Sequence, residues 1–129
     1  MLDKRLQQIV INTLQKEIKE LKLITLFGSV VTPYFQQNKS DIDIAFLATQ
    51  KIDNIQRWEI QEKLASQLNS DIDLVDLNNS NDVLRFEVIS KGKNIFIKPS
   101  MELEHTLDSI FFNYIKLNED RAEIMELYQ

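Results

Sequence analysis

The chain alternates segments of helical periodicity with short apolar segments typical of β-strands, and this alternation limits its fold more than any other feature. Apolar residues recur at steps of three and four across residues 2–21, which predicts an amphipathic helix. Short β-type segments occur at residues 23–27, 41–47, 71–77 and 94–98. Because the connections are short and 129 residues suit a single domain, we predict an α/β (α+β) fold in which helices flank one small mixed sheet.

Polar residues beside the apolar segments predict where two further helices begin and end. Asp53 is expected to cap a helix over residues 54–68. The predicted buried side of this helix comprises Ile55, Trp58, Leu64, Ala65 and Leu68. Ser80 is expected to cap a helix that runs to Lys91, with Gly92 as the left-handed residue that ends it.

A C-terminal helical region follows Pro99 and Ser100. We assign residues 1–98 to the main domain and residues 99–129 to a helical extension packed on it. The extension carries a broad apolar stripe made of Leu103, Leu107, Ile110, Phe111, Phe112, Tyr114, Ile115, Leu117, Ile124, Leu127 and Tyr128. This stripe is consistent with packing on the sheet, but aromatic anchors also favour docking to a partner protein or to a second copy of the chain.

The rarest residues exclude several kinds of chemistry. Without cysteine the chain has no disulfide, thiolate nucleophile or cysteine-bound metal, and a single histidine, His105, forms no multi-histidine site. With only two glycines, neither a dinucleotide-binding fingerprint nor a Walker A loop can be formed. The net charge of −5 disfavours general nucleic-acid binding. Because no segment has the length and apolarity of a signal peptide or a membrane span, we expect a cytoplasmic protein.

Two of the predicted strands begin with the same acidic pattern, Ser-Asp-Ile-Asp, at residues 40–43 and 70–73. Aspartate is disfavoured within strands, and residues two apart share a face, so Asp41 and Asp43 are predicted to point away from the core. Two ionised carboxylates about 4 Å apart repel each other by about 4 kcal/mol at an effective dielectric constant near 20. This predicts a cation between them, and carboxylate oxygens suit Mg²⁺. A third carboxylate from residues 71–76 would allow two ions to bind, although aspartates on half-solvated strands are also ordinary surface features.

A glycine-serine turn, Gly28-Ser29, directly follows the strand predicted at residues 23–27. Glycine lets the backbone approach a ligand closely, and the serine hydroxyl and N–H can contact phosphate. A triphosphate could therefore be held here without a Walker loop. The glycine-serine pair alone usually marks only a turn, so its value lies in its spacing from the first acidic strand.

The combined motif resembles a known family. Leu26-Phe27-Gly28-Ser29, followed after eleven residues by Asp41-Ile42-Asp43, is similar to the signature of the DNA polymerase β-like nucleotidyltransferase superfamily, specifically its minimal single-domain members. Within these, the chain most resembles the MNT antitoxins of HEPN/MNT toxin–antitoxin systems. The segment at residues 71–77 is similar to the strand that carries the family's third carboxylate. The resemblance covers about residues 5–98 and implies a polymerase β-like nucleotidyltransferase fold.

The resemblance also implies a role for each motif residue. The residues implied for nucleotide binding are Gly28, Ser29 and Ser40. Asp41, Asp43 and Asp73 are the implied catalytic residues and ligands of two Mg²⁺ ions, with Asp73 activating the attacking hydroxyl. Asp71 is the alternative for the third carboxylate, since it shares a strand face with Asp73. Asp76 points to the opposite face and is the weakest candidate.

The implied reaction transfers AMP from ATP to a hydroxyl, which in the antitoxin group is a tyrosine of the partner HEPN ribonuclease toxin. Two alternatives stay open: a non-catalytic antitoxin that neutralises the toxin by binding, and a nucleotidyltransferase that modifies a small-molecule hydroxyl. Self-association through the C-terminal helix is also open. The chain departs from the family pattern at Pro33, where members carry a second glycine, and in having eleven rather than ten residues between Ser29 and Asp41. Thr32 is expected to cap a helix that begins at Pro33.

Overall fold

The elements of the fold follow the predicted alternation. A computed structural model of the chain describes residues 1–36 and 39–127. The helices are α1 (Lys4–Glu17), α2 (Asn54–Leu68), α3 (Asp82–Lys91) and α4 (Met101–Glu126). The strands are β1 (Leu21–Phe27), β2 (Ile42–Ala48), β3 (Ile72–Asp76) and β4 (Lys93–Ile97). Short 3-10 helices follow β1 and β3, at Gly28–Val31 and Leu77–Asn79.

The four strands form one mixed sheet in the order β3-β2-β1-β4. Strand β1 is antiparallel to both of its neighbours, whereas β2 and β3 are parallel and are connected through α2. The register aligns the two Ser-Asp-Ile-Asp segments, because Ile42 lies opposite Ile72 and Asp43 lies opposite Asp73. The predicted fold class, a small mixed sheet flanked by helices, is therefore confirmed.

Helices cover both faces of the sheet, so the central strands are apolar on both sides. On one face a large core joins α1 and α2 to the sheet; it includes Val10, Leu14, Ile24, Ile44, Phe46 and Leu64. On the other face α3 and α4 contribute to a smaller core of Leu23, Ala45, Leu47, Leu77, Val88 and Leu103. Because side chains alternate along a strand, Asp43 projects on the same face as Ala45. The acidic residues therefore lie at the margin of the smaller core.

Helix α2 begins where the sequence predicts, since the Asp53 side chain accepts a hydrogen bond from the Ile55 N–H. Its fully buried residues are Ile60, Leu64 and Leu68. The predicted burial of Ile55 and Trp58 is wrong, because these side chains are 69% and 53% exposed. The helix instead turns Arg57 and Gln61 toward β3, where both make hydrogen bonds to Leu74 of that strand. That orientation leaves Trp58 on the outer side.

Two predictions at the ends of α3 are corrected by the structure. The cap is Asn81, whose side chain accepts a backbone N–H of the first turn. Ser80 lies one residue before the cap, and its hydroxyl donates to the Asp76 carbonyl. Gly92 is extended, with φ −78° and ψ 171°, because the chain continues directly into β4. A Cβ at this position would lie 2.8 Å from the Leu26 carbonyl oxygen, so glycine is needed here for close packing.

The predicted helix at Pro33 is also wrong. Thr32 ends the 3-10 helix that follows β1, and both its N–H and its hydroxyl donate to the Ser29 carbonyl. The Thr32 hydroxyl oxygen in turn accepts the Tyr34 N–H at 3.3 Å. Because these bonds close a turn on the preceding residues, Thr32 and Pro33 end one short helix instead of beginning another.

The first half of α4 packs on the domain, whereas its second half is exposed. Leu103 and Ile110 are buried, and the ring of Tyr114 stacks on Phe86 of α3 with centroids 3.8 Å apart. The large apolar side chains of the stripe that remain exposed are Phe111, Phe112, Ile115, Ile124 and Leu127. Every described residue from position 118 onward is exposed, and Tyr128 lies outside the described residues. The division of the chain at residue 98 stays a prediction.

None of the helices within residues 1–36 and 39–127 combines the length and the apolar character that crossing a membrane requires.

Candidate active site

Three aspartates lie on two neighbouring parallel strands, at the end of the sheet where β1 finishes. Asp43 and Asp73 are each the second residue of their strand and form a cross-strand pair. Paired strands are about 4.8 Å apart, and paired residues point to the same face, so the two carboxylates are close neighbours. Asp41 lies just before β2, two residues from Asp43. The structure therefore brings together the three aspartates that were singled out in the sequence.

The Asp43 carboxyl is strongly perturbed by this arrangement. Burial, followed by the negative charge of Asp73 and then that of Asp41, raises the pKa of Asp43 from 3.8 to about 6. Asp41 and Asp73 themselves are exposed, whereas Asp43 is half-buried. A carboxyl whose pKa is raised by neighbouring negative charges favours the approach of a cation, which would stabilise its ionised form.

Gly28 brings the backbone of the turn against the Asp43 carboxylate. Its φ is +73°, in the left-handed region that favours glycine, and a Cβ at this position would overlap an Asp43 carboxylate oxygen. Phe27, the preceding residue, lies opposite Asp43 in the β1–β2 ladder. The Ser29 hydroxyl lies 3.5 Å from the Asp41 carbonyl oxygen. The glycine-serine turn and the acidic strands thus border the same site.

Ser40 and Asp71 occupy the edge of this site. The Ser40 hydroxyl oxygen accepts the Gln36 N–H at 3.2 Å, and this bond closes the loop that leads into β2. Asp71 is exposed and precedes β3, where its carbonyl accepts the Ile42 N–H at 2.9 Å. The bonds of both residues therefore hold the segments that precede β2 and β3. Neither the Ser40 nor the Asp71 side chain forms a hydrogen bond with Asp43.

Asp76 has a different environment from the other aspartates. It is only 4% exposed, and its carboxylate accepts the Ile52 N–H at 2.9 Å and the Asn78 N–H at 3.0 Å. These bonds tie the end of β3 to the segment between β2 and α2. Its side chain lies on the opposite strand face from Asp73, as the alternation of the strand predicts.

The donor set fits Mg²⁺, which prefers carboxylate oxygens. Within the described chain, none of the three site aspartates forms an ion pair with a lysine or arginine. Among the same residues, no three acidic, histidine or cysteine side chains are gathered around one point as a ready-made metal cluster. A cation bound here would offset both causes of the raised pKa of Asp43, the burial of its charge and the repulsion from Asp73 and Asp41.

Two residues of α2 that the sequence analysis did not single out hold β3 beside the site. Among the residues that the structure describes, β3 is the edge strand of the sheet, so no described strand pairs with Leu74 on its outer side. Gln61 accepts the Leu74 N–H at 3.0 Å, and Arg57 donates to the Leu74 carbonyl at 3.0 Å and to Gln61 at 3.2 Å. The signal in the sequence is the spacing of four between Arg57 and Gln61, which places long polar side chains on one helix face.

The mixed sheet, the glycine-serine turn and the paired aspartates together define a class of protein. The chain belongs to the polymerase β nucleotidyltransferase family, because the family profile described as "Polymerase beta, Nucleotidyltransferase" matches residues 8–101. This range includes every site residue from Gly28 to Asp73.

Within this family the chain is similar to antitoxins. It is 48% identical over 87 residues to a protein adenylyltransferase MntA of Shewanella oneidensis strain MR-1, a match that covers 67% of this chain and 62% of that protein. The match therefore spans less than two thirds of the relative's length. A crystal structure described as a toxin–antitoxin with AMP-PNP superposes with a TM-score of 0.82 at 39% identity, covering 93% of this chain and 95% of the other. A structure of a tri-AMPylated Shewanella oneidensis HEPN toxin in complex with MNT antitoxin gives a TM-score of 0.78 at 36% identity, with 97% of each chain covered.

Proposed function

We propose that this chain is a Mg²⁺-dependent protein adenylyltransferase that transfers AMP from ATP to a tyrosine hydroxyl of a cognate HEPN-family toxin and thereby acts as an antitoxin. The observation that carries the proposal is the cross-strand pair of Asp43 and Asp73 beside Gly28. The similarity to a protein adenylyltransferase and to an MNT antitoxin complexed with a tri-AMPylated HEPN toxin supports the choice of reaction and acceptor.

The reaction exchanges one phosphate ester bond for another. The tyrosine oxygen forms a bond to the α-phosphorus of ATP, the bond from that phosphorus to the bridging oxygen of pyrophosphate breaks, and pyrophosphate leaves. Asp73 accepts the proton of the attacking hydroxyl. The backbone N–H groups at Gly28 and Ser29 bind the triphosphate, because the left-handed turn exposes them beside the acidic strands.

Asp41, Asp43 and Asp73 are the proposed Mg²⁺ ligands. When bound, the ions neutralise charge on the phosphate oxygens and align the attacking and leaving oxygens. We assign the third carboxylate to Asp73 in preference to Asp71, because Asp73 is paired with Asp43 and contributes to its raised pKa. Ser40 is proposed to support the nucleotide site by holding the loop before Asp41. The proposed location is the cytoplasm.

The proposal is tested by incubating the chain with its cognate HEPN toxin, Mg²⁺ and ATP labelled at the α-phosphate. The wild-type chain is expected to label the toxin, and Asp43→Asn is expected to reduce labelling more than about 100-fold, because a ligand and a negative charge are lost from the site. A matched control is Asp53→Asn, which makes the same chemical change at the α2 cap, where asparagine is an equally good capping residue.

Several outcomes would overturn the proposal. If γ-labelled ATP labelled the toxin and α-labelled ATP did not, the reaction would be phosphorylation. If Asp43→Asn still labelled the toxin, the paired aspartates would not take part in the reaction. Neutralisation of the toxin by Asp43→Asn, with no label on the toxin, would identify a purely binding antitoxin. Asp53→Asn must retain wild-type labelling for the loss in Asp43→Asn to be assigned to the site.

A further inference from the structure

A small polar cavity lies on the outer edge of β3, next to the candidate active site. It has a volume of about 240 Å³ and is lined by Arg57, the strand residues from Asp73 to Asp76, Asn79 and Ser80. Asp73, the proposed acceptor of the hydroxyl proton, and the cationic side chain of Arg57 therefore line the same cavity. None of these lining side chains except Asp73 is used in the reaction described above.

Arg57 is fixed in this cavity by one end of its guanidinium group. A single nitrogen, Nη1, donates to the Leu74 carbonyl at 3.0 Å and to Gln61 at 3.2 Å. Within the described residues, the other guanidinium nitrogens donate no hydrogen bond and Arg57 forms no ion pair. An arginine held in this way presents its remaining N–H groups as a fork, which is the geometry that recognises a carboxylate by two parallel hydrogen bonds.

The position of Arg57 separates it from the nucleotide. The glycine-serine turn follows β1, which is two strands away from β3 in the sheet, or about 10 Å at the usual strand spacing. Arg57 reaches β3 from the opposite, outer side. Because the triphosphate is assigned to the turn and the hydroxyl proton to Asp73, the cavity that Asp73 shares with Arg57 is left for the acceptor.

The shape of the cavity suits an extended acceptor segment. It follows β3 from Asp73 to Asp76, which is four residues, or about 10 Å of extended chain from the first Cα to the last. The acceptor cannot extend the sheet at Leu74, because Gln61 and Arg57 already occupy the N–H and the carbonyl of that residue. Recognition at this residue must therefore come from side chains, and Arg57 is the cationic side chain among those that line the cavity.

We propose that this cavity is the acceptor-binding site and that Arg57 binds a carboxylate side chain located within about three residues of the acceptor hydroxyl. This inference rests on the proposed function, since it names the part of the site that selects the acceptor protein. Arg57 offsets the repulsion that an acidic segment would otherwise meet at the three site aspartates, in a chain whose net charge is −5.

The test is a steady-state comparison of toxin labelling by wild type, Arg57→Gln and Arg57→Lys. Arg57→Gln is expected to raise the KM for the toxin about 10-fold or more and to leave the KM for ATP within about twofold, because only the acceptor loses a charged partner. Arg57→Lys keeps the positive charge but cannot form two parallel hydrogen bonds, so its KM for the toxin is expected to lie between those of the wild type and Arg57→Gln. Added salt should raise the toxin KM of the wild type more steeply than that of Arg57→Gln.

A matched control removes a positive charge elsewhere. Lys51→Gln makes the same change in net charge beyond the opposite end of β2, on the 650 Å³ cavity that also contains Asp53, and is expected to leave both KM values unchanged. Urea unfolding of each variant checks that the fold is retained. If Arg57→Gln is unstable, Arg57→Lys still allows the test, because lysine keeps a hydrogen-bond donor for the Leu74 carbonyl.

Each alternative result overturns the inference in a distinguishable way. If the KM for the toxin is unchanged in both Arg57 variants, Arg57 does not bind the acceptor. A raised KM for ATP would show that Arg57 binds the nucleotide. A lower kcat with both KM values unchanged would show that Arg57 only positions Asp73, through its bond to Leu74. Labelling by the wild type is measured before any variant is compared. If the wild type does not label the toxin, the proposed function itself is refuted.

Discussion

Replacing Asp43 by asparagine is expected to make the folded protein more stable at neutral pH while it abolishes nucleotide transfer. The pKa of Asp43 is raised from 3.8 to about 6, first by burial and then by Asp73 and Asp41. Between these two values the folded protein retains a proton that the unfolded chain has released. Stability therefore falls as the pH rises through this window, and above about pH 6 the ionised carboxylate destabilises the fold.

The size of the effect follows from the two pKa values. Their difference corresponds to about 3 kcal/mol at about 1.4 kcal/mol per unit. Because Asp43 is only half-buried, solvent screening reduces the expected gain for Asp43→Asn to about 1–2 kcal/mol. In a domain of this length, that gain corresponds to an increase in Tm of about 4–8 °C.

Urea unfolding at about pH 7.5 and at about pH 3.5, without added divalent cation, measures this effect. The variant should be more stable than the wild type at the higher pH, and the two should converge at the lower pH, where Asp43 is protonated in both the folded and unfolded states. If the variant and the wild type were equally stable at the higher pH, the ionised Asp43 carboxylate would not destabilise the fold, and the reasoning would be refuted. An advantage that persists at the lower pH would show that packing, and not ionisation, is responsible.

Three further substitutions test how other residues support the site. Asp76→Asn is expected to lower the free energy of unfolding by about 1–3 kcal/mol, because the buried carboxylate accepts two backbone N–H bonds that one amide oxygen replaces poorly; urea unfolding measures this. Gly28→Ala should cost about 1–2 kcal/mol for the left-handed backbone and also displace the Asp43 carboxylate, so toxin labelling should fall more than about 100-fold in a folded protein. Gly92→Ala should destabilise by about 1–3 kcal/mol, since its Cβ would press on the Leu26 carbonyl, yet leave the KM for ATP unchanged in the folded fraction. Wild-type stability in the first or third variant, or wild-type labelling in the second, would contradict these assignments.

The fold and the acidic site could be predicted because their signals are local. Strand alternation fixes which face Asp43 occupies, and the repeated Ser-Asp-Ile-Asp segment marks the same position in two strands. Parallel pairing of β2 and β3 then brings Asp43 and Asp73 together, since the two copies align residue by residue. The repetition marks two acidic strand starts in one sheet, and the structure adds that these strands are neighbours, although about 30 residues lie between the two aspartates.

The details that the sequence did not predict depend on competition between nearby groups. Ser80 and Asn81 are both good capping residues; the Asn81 side chain caps α3, whereas the Ser80 hydroxyl donates to the Asp76 carbonyl. Trp58 was expected to be buried, but α2 is oriented so that Arg57 reaches the edge of β3, which leaves Trp58 53% exposed. Such outcomes depend on tertiary contacts that no single segment encodes.

The candidate site combines locally unfavourable features with strong supports around it. Gly28 adopts a left-handed backbone, and Asp43 has a raised pKa within a strand, so both oppose stability where a nucleotide would bind. The supports lie one layer further out: Asp76 bonds two backbone N–H groups, and Arg57 and Gln61 bind both polar groups of Leu74. These bonds hold β3 in register, and that register keeps Asp73 beside Asp43 against their mutual repulsion. A cation bound by the carboxylates would therefore offset both the burial of the Asp43 charge and this repulsion without moving the strands, which is the preorganisation that phosphoryl transfer requires.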